Sequence, residues 1–339
     1  MMTRKQQEQL ALAAERLHRK KIEMRRKYPE IKEGETAAPV PEEGINDLPP
    51  RGTVHTEWPG LLEPERSEFI AAVNEILTDA PGTDASKFVK LGEENLWVWG
   101  GPTPYWGGSM ADDTLVRGAR YFDAKNGVYV YGPTDEKMMR IHSGFKRILC
   151  QVNGNCRTPG AQRGMSDEAN AEELSRLSLE FPNIVGAMCD DVAVKFRGTV
   201  PPEAFEARRR GLTKYNDQLK MYGVIYVHEL EHKDFSAILP YLDVVNLWFW
   251  NMDEILDYDR YLLLCQERFP GKPILQGIFL HDYGISDAGA PPPLLLYQLD
   301  KAREYMTSGV VAGVVILGDR EIAKWPESAA AVRDYLRNQ

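Results

Sequence analysis

The chain is poor in the residues that build disulfide frameworks, metal clusters and phosphate loops. Of its 339 residues, 4 are cysteine and 6 are histidine. Cys150, Cys156, Cys189 and Cys265 show no CxxC spacing, and two of them lie in or at the end of apolar runs. They read as buried thiols rather than a disulfide set or a zinc site. No HxH or HExxH spacing occurs, so the usual short metal-binding signatures are missing. GxGxxG and GxxxxGK[ST] are also missing, which removes the glycine loops that cradle phosphates in nucleotide-binding α/β folds. No apolar run approaches the ~20 residues of a membrane span. The N-terminus is charged where a signal peptide needs an apolar segment, so the default location is cytoplasmic unless a leader has been removed. Clustered positive charge is scarce beyond the start of the chain. The net charge is −9, yet the first 32 residues carry ten Lys/Arg against four Asp/Glu, leaving the remainder near −15. An acidic body lacks the Lys/Arg footprint that nucleic acid requires. No cofactor, resident metal, nucleic-acid partner or membrane partner is expected.

What remains is the composition of an ordinary globular protein, 43% hydrophobic and 27% charged. Its length suits one barrel with an appendage. Residues 3–28 contain strong helix formers and neither Gly nor Pro, which predicts a helix. Leu10, Ala14, Leu17, Lys21, Met24, Tyr28 and Ile31 follow alternating four- and three-residue steps, a weak seam interrupted by Lys21. That seam would pack across the barrel or against a second subunit, making a homo-oligomer through this helix one expectation; a largely solvated helix is the other. Pro29, Pro39, Pro41, Pro49, Pro50 and Pro59 mark residues 29–60 as a linker or surface strap. We divide the chain into an N-terminal helix and linker, 1–60, and a barrel domain, 61–339, the latter preceded by a helix over 63–80.

Beyond Lys90 short apolar runs recur every 20–38 residues: 96–100, 127–132, 147–152, 184–189, 222–228, 244–250, 273–280 and 310–317. Helical stretches separate them, for example 167–181, 203–221, 253–269 and 293–309. Eight strands alternating with helices predict an α/β protein, a (β/α)8 TIM barrel with an N-terminal helical extension. A doubly wound open sheet is the alternative, though it would more usually have fewer strands and a glycine phosphate loop.

The carboxyl ends of barrel strands share one rim, so residues distant in sequence converge there. The fourth strand is the most informative: NIVGAMCDDV, residues 183–192, is apolar on both faces and then ends in Asp190 and Asp191. A single carboxylate there is often only a helix N-cap, and alternation in extended structure lets at most one of two neighbours point straight into the mouth. The other strand ends bring Trp99, Tyr105 and Trp106; Tyr131; Asn153, Asn155 and Arg157; His228 and Glu229; Trp248, Trp250 and Asn251; His281, Asp282 and Tyr283; and Asp319 with Arg320. Paired carboxylates in an aromatic cleft match glycoside cleavage, in which one carboxyl gives a proton to the leaving oxygen and one carboxylate attacks or activates water. Aromatic faces stack on the C–H faces of sugars, while Asn, Asp and His bind hydroxyls. The expected catalytic set is Asp190 or Asp191 acting with Asp282, with Glu229 in reserve. The expected carbohydrate-binding set is Trp99, Trp106, Tyr131, Asn153, His228, Trp248, Trp250, Asn251, His281 and Tyr283.

Through GAMCDDV, NLWFWN and IFLHDYG, over roughly residues 90–339, the sequence resembles the broad class of TIM-barrel glycoside hydrolases, and more narrowly bacterial barrel proteins of that kind. In the large retaining group of that class the acid follows strand four and the nucleophile strand seven. The resemblance therefore implies Asp190 or Asp191 as acid and Asp282 as nucleophile, where the group carries Asn-Glu and Glu. Two other readings stay open: a metal-dependent isomerase, aldolase or hydrolase using Asp190, Asp191, His228, Glu229, His281 and Asp282, and a non-catalytic carbohydrate-binding barrel.

Overall fold

A computed structural model describes residues 2–27, 60, 62–79, 87–103, 108–153, 166–194, 196, 198–283, 288–318 and 320–339. The chain forms a closed (β/α)8 barrel whose eight parallel strands follow chain order. They are β1 Leu96–Gly100, β2 Asn126–Tyr129, β3 Arg147–Gln151, β4 Ile184–Cys189, β5 Lys220–Tyr226, β6 Val244–Trp248, β7 Ile274–Ile278 and β8 Val311–Leu317. Closure comes from β1 pairing β8, with Leu96 opposite Val314 and Trp99 opposite Leu317. Two helices precede the barrel, α1 Arg4–Lys27 and α2 Glu65–Asp79. The others are α3 Thr114–Phe122, α4 Glu136–Ile141, α5 Asp167–Leu177, α6 Glu203–Leu212, α7 Tyr258–Arg268, α8 Pro292–Thr307, α9 Arg320–Lys324 and α10 Pro326–Asn338. One expected helix is missing: β5 and β6 are joined by two short 3₁₀ turns, Val227–Glu229 and Ser236–Ile238. The predicted helix 203–221 also ends early, at Leu212, and by Lys220 the chain is already strand, paired with Gly186.

Side chains on successive strand residues point to opposite faces, and the core divides accordingly. Trp97, Trp99, Val128, Val130, Leu149, Met188, Val224, Tyr226, Trp248, Leu275 and Val315 fill the barrel interior. Val98, Tyr129, Cys150, Cys189, Ile225, Leu247, Ile278 and Ile316 face the helices. Cys150, Cys189 and Cys265 are buried free thiols, while Cys156 lies outside the described residues. Toward the mouth Trp99 and Trp248 meet edge to face at 5.8 Å. Trp248 has room only because β7 carries Gly277, where a Cβ would overlap the indole ring. Gly277→Ala is therefore expected to destabilise the fold by about 1–3 kcal/mol through overpacking, with a changed near-ultraviolet tryptophan spectrum. An unchanged spectrum together with wild-type urea stability would refute that packing.

The N-terminal helix begins with a reciprocal cap, Thr3 and Gln6 each accepting from the other's backbone N–H at 3.3 and 2.8 Å. Its stripe of Leu10, Leu17, Lys21 and Met24 is buried against the chain itself, through α2 and the 3₁₀ turn Met252–Asp257 that follows β6. Lys21 does not break the seam. It is 1% exposed and places its ammonium beside Asp253, with Asn251 Oδ1 at 3.3 Å and Asp282 Oδ2 at 3.8 Å. Burial opposes that charge, but the carboxylates of Asp253 and Asp282 raise the pKa above the usual lysine value.

Candidate active site

The two-residue alternation of each strand sorts the residues at the carboxyl rim. On β4, Met188 points inward, and alternation sends Asp190 the same way, where its charge acts on the phenols of Tyr131 and Tyr226. Asp191 should then turn outward, but its φ of +51° reverses it. Tyr131, after the outward Tyr129, does the same with φ +68°. Both left-handed residues are non-glycine, a conformation that costs energy and persists only where the surroundings impose it. As a result both adjacent carboxyls face the same phenols, against the expectation that one would point away. Tyr226 Oη donates to Asp191 Oδ1 at 2.7 Å. Asn153 clamps the neighbouring peptide, accepting from Asp190 N–H at 3.0 Å and donating to the Asp190 carbonyl. Gln151 likewise holds Tyr131 by accepting from its N–H at 2.9 Å.

The electrostatics follow from this crowding. Burial first, and the negative charge of Asp191 second, lift the Asp190 carboxyl well above the usual carboxylate range, while a backbone hydrogen bond from Asp191 opposes them. Burial also raises the phenols of Tyr131 and Tyr226 far above their ordinary value, with Asp190, Asp191 and Tyr283 adding to it. The pair is thus ringed by neutral O–H groups. Trp250 closes the next sector, 4.7 Å from Tyr226 edge to face and 4.2 Å from Tyr283. His228 stacks parallel to Tyr226 at 5.7 Å, and Phe279 bridges Trp248 at 4.5 Å to Tyr283 at 4.9 Å. Arg320, at the start of α9, adds its charge beside Tyr283 and Tyr131.

Alternation sends other expected residues the opposite way. Glu229 follows the outward Val227; its Oε2 accepts from Tyr226 N–H at 3.1 Å and its Oε1 pairs with Lys233 at 2.8 Å. Asp282 follows the outward Ile278 and Leu280, accepts from Met252 N–H at 3.1 Å and faces Lys21. Asn251 follows the outward Phe249 and caps the Met252–Asp257 turn with Glu254. The structure therefore gathers Asp190, Asp191, Tyr131, His228, Trp250, Tyr283 and His281 at the mouth, over a floor of Trp99 and Trp248. It spends Asp282, Glu229 and Asn251 on the outer layer, and Asn153 on the backbone of Asp190. Trp106, Tyr105, Asn155, Arg157 and Asp319 lie outside the described residues. Tyr226, Gln151, Phe279 and Glu321 belong to the site without having been singled out; counting back by two from His228 reaches Tyr226. Among the described residues, no three His, Cys, Asp or Glu side chains are grouped as ligands for a metal ion.

No protein-family model matches the chain, and no curated protein matches it. Solved barrels resemble it distantly. A β-glucuronidase from Ruminococcus gnavus is 11% identical, over 73% of this chain and 50% of its own, with a TM-score of 0.48. A β-glucuronidase from an uncultured Clostridium is 14% identical, over 74% of this chain and 50% of its own, with a TM-score of 0.46. A family 18 N-acetylglucosaminidase from Paenibacillus barengoltzii is 12% identical, over 73% of this chain and 99% of its own, with a TM-score of 0.42. The chain spans about half the length of the two glucuronidases. The barrel assignment rests on the strand pairing itself.

Proposed function

We propose that the protein hydrolyses a glycosidic bond at the carboxyl mouth of its barrel, with Asp190 giving the proton to the leaving oxygen. The observation that carries this reading is the pair Asp190–Asp191. One carboxyl is pushed toward its protonated form by burial and by its neighbour's charge, and the other is held as acceptor by Tyr226. Separating the pKa values of two carboxyls is how one site supplies a proton donor and a charged partner at neutral pH. Tyr131, Tyr226 and Tyr283 bring phenol oxygens to the sugar hydroxyls, Tyr226 as an acceptor because its proton goes to Asp191, and Trp250 offers an apolar ring. Asp282 and Glu229 serve the architecture instead, since both carboxyls are engaged outside the mouth.

Incubation with a panel of chromogenic glycosides and natural oligosaccharides, with products resolved by chromatography, tests the reading. Release of a reducing sugar by the wild type supports it, and binding without turnover across the panel would leave a carbohydrate-binding barrel in its place. Trp250→Ala is expected to raise KM about tenfold or more while changing kcat by no more than a few-fold, because a stacking ring contributes similarly to ground and transition states. A variant with an unchanged KM would remove Trp250 from the binding surface.

A further inference from the structure

We propose that His281, oriented by Glu321, is the general base opposite Asp190, so that hydrolysis inverts the anomeric centre. This rests on the hydrolase reading and goes beyond it by assigning the second half of the reaction. The neighbour of Asp190 is Asp191, on the same side of the mouth, whereas an inverting reaction needs its base across the sugar, with water between. Strand β7 lies three places from β4 in the ring of eight. Its outward Asp282 is turned to Lys21, but its inward series, Leu275, Gly277 and Phe279, continues to His281.

The imidazole is held from three directions. Trp325 lies flat on it, with centroids 4.1 Å apart and planes 6° from parallel. Tyr283 sits 4.9 Å away and Phe279 5.9 Å away. Glu321, fully buried, brings Oε2 to 2.5 Å from Nδ1, a close contact outside hydrogen-bond alignment, while its Oε1 accepts from Arg320 Nε at 3.0 Å. A carboxylate fixed beside Nδ1 favours the proton there and leaves the lone pair on Nε2. No hydrogen bond among the described residues occupies Nε2. Such a nitrogen can take a proton from water as the water oxygen bonds to the anomeric carbon. The glycosidic C–O bond breaks with its electron pair going to the leaving oxygen, which receives the proton of Asp190. The sum is addition of one water, leaving imidazolium and carboxylate to exchange one proton through solvent.

The test uses the full-length protein. Nitrogen NMR of ring-labelled histidine should show His281 as the Nδ1–H tautomer, and Glu321→Gln should shift that population toward Nε2–H. On a glycoside that the wild type cleaves, proton NMR of the first sugar released should show the anomer opposite to the substrate. His281→Gln should lower kcat by about 10²–10⁴-fold with KM changed by only a few-fold. An Nε2–H tautomer in the wild type, a retained anomer, or turnover by His281→Gln within a few-fold of wild type would each overturn the assignment while leaving the hydrolase reading intact. Failure of the wild type to cleave any glycoside would instead remove that reading and this role together.

Discussion

Asp190→Asn is expected to lower kcat by about 10²–10⁴-fold on glycosides with poor leaving groups, with wild-type urea stability. An amide keeps the shape of the carboxyl but has no acidic proton to give. The loss should shrink on nitrophenyl glycosides, whose leaving oxygen needs little protonation, and that contrast separates a proton donor from a residue that merely binds. Asp191→Asn makes a second, signed prediction. Asp190 acts protonated, so activity falls as pH rises through its pKa, and the charge of Asp191 holds that pKa up. Removing the charge should move the alkaline limb of the pH–rate profile to lower pH. Equal losses on good and poor leaving groups, or an alkaline limb that stays in place, would take the acid role away from Asp190.

Lys21→Met is expected to cost about 3–5 kcal/mol of stability, the usual consequence of leaving buried charges without their partner. Asp253 would keep only the half-exposed His18 and Asp282 would lose its cation, both carboxyls being almost wholly buried. The pH dependence should change with it. Burial works against the charge of Asp253, but Lys21 and His18 bring its carboxyl down to about 2. A depressed carboxylate contributes stability that is present above its unfolded pKa of about 4 and lost as pH falls toward about 2. Glu254 has the opposite sign. Burial, then the charge of Asp253, raises it to about 7, so its contribution is complete below about 4.5 and lost by about pH 7. These two groups together predict greatest stability near pH 4–5, and Lys21→Met should flatten the acid limb because Asp253 would be held down by His18 alone. Urea unfolding across pH 3–8 measures both effects; a variant as stable as the parent would mean that Lys21 does not serve as the counter-ion.

The barrel was legible because its signal is collective. Eight apolar runs divided by longer polar stretches leave few alternatives, and an error of two residues at any end, as at β5, changes nothing in the topology. The site was legible only to the level of which strand ends carry chemistry. Adjacent pairs such as His281–Asp282 and His228–Glu229 put one member on each face, and alternation counted from the strand interior would have sorted them: Phe279 in, Leu280 out, His281 in, Asp282 out. That same count fails at Tyr131 and Asp191, where positive φ reverses the direction, and neither residue type announces such a backbone. Lys21 was hidden for a different reason. A lysine in an apolar seam reads as a defect until its partners are known, and those partners lie 230 and 232 residues away.

That separation gives the N-terminal helix a place in time as well as in space. Lys21 reaches Asn251 and Asp253 across 230 and 232 residues, so this contact is expected to form late in assembly rather than in a nucleus of local pairings. Interactions absent from the folding transition state act on the rate of unfolding and barely on the rate of folding. The clasp of α1 is therefore expected to act as a brake on unfolding, and its strength should be read in how long the closed barrel survives rather than in how fast it forms.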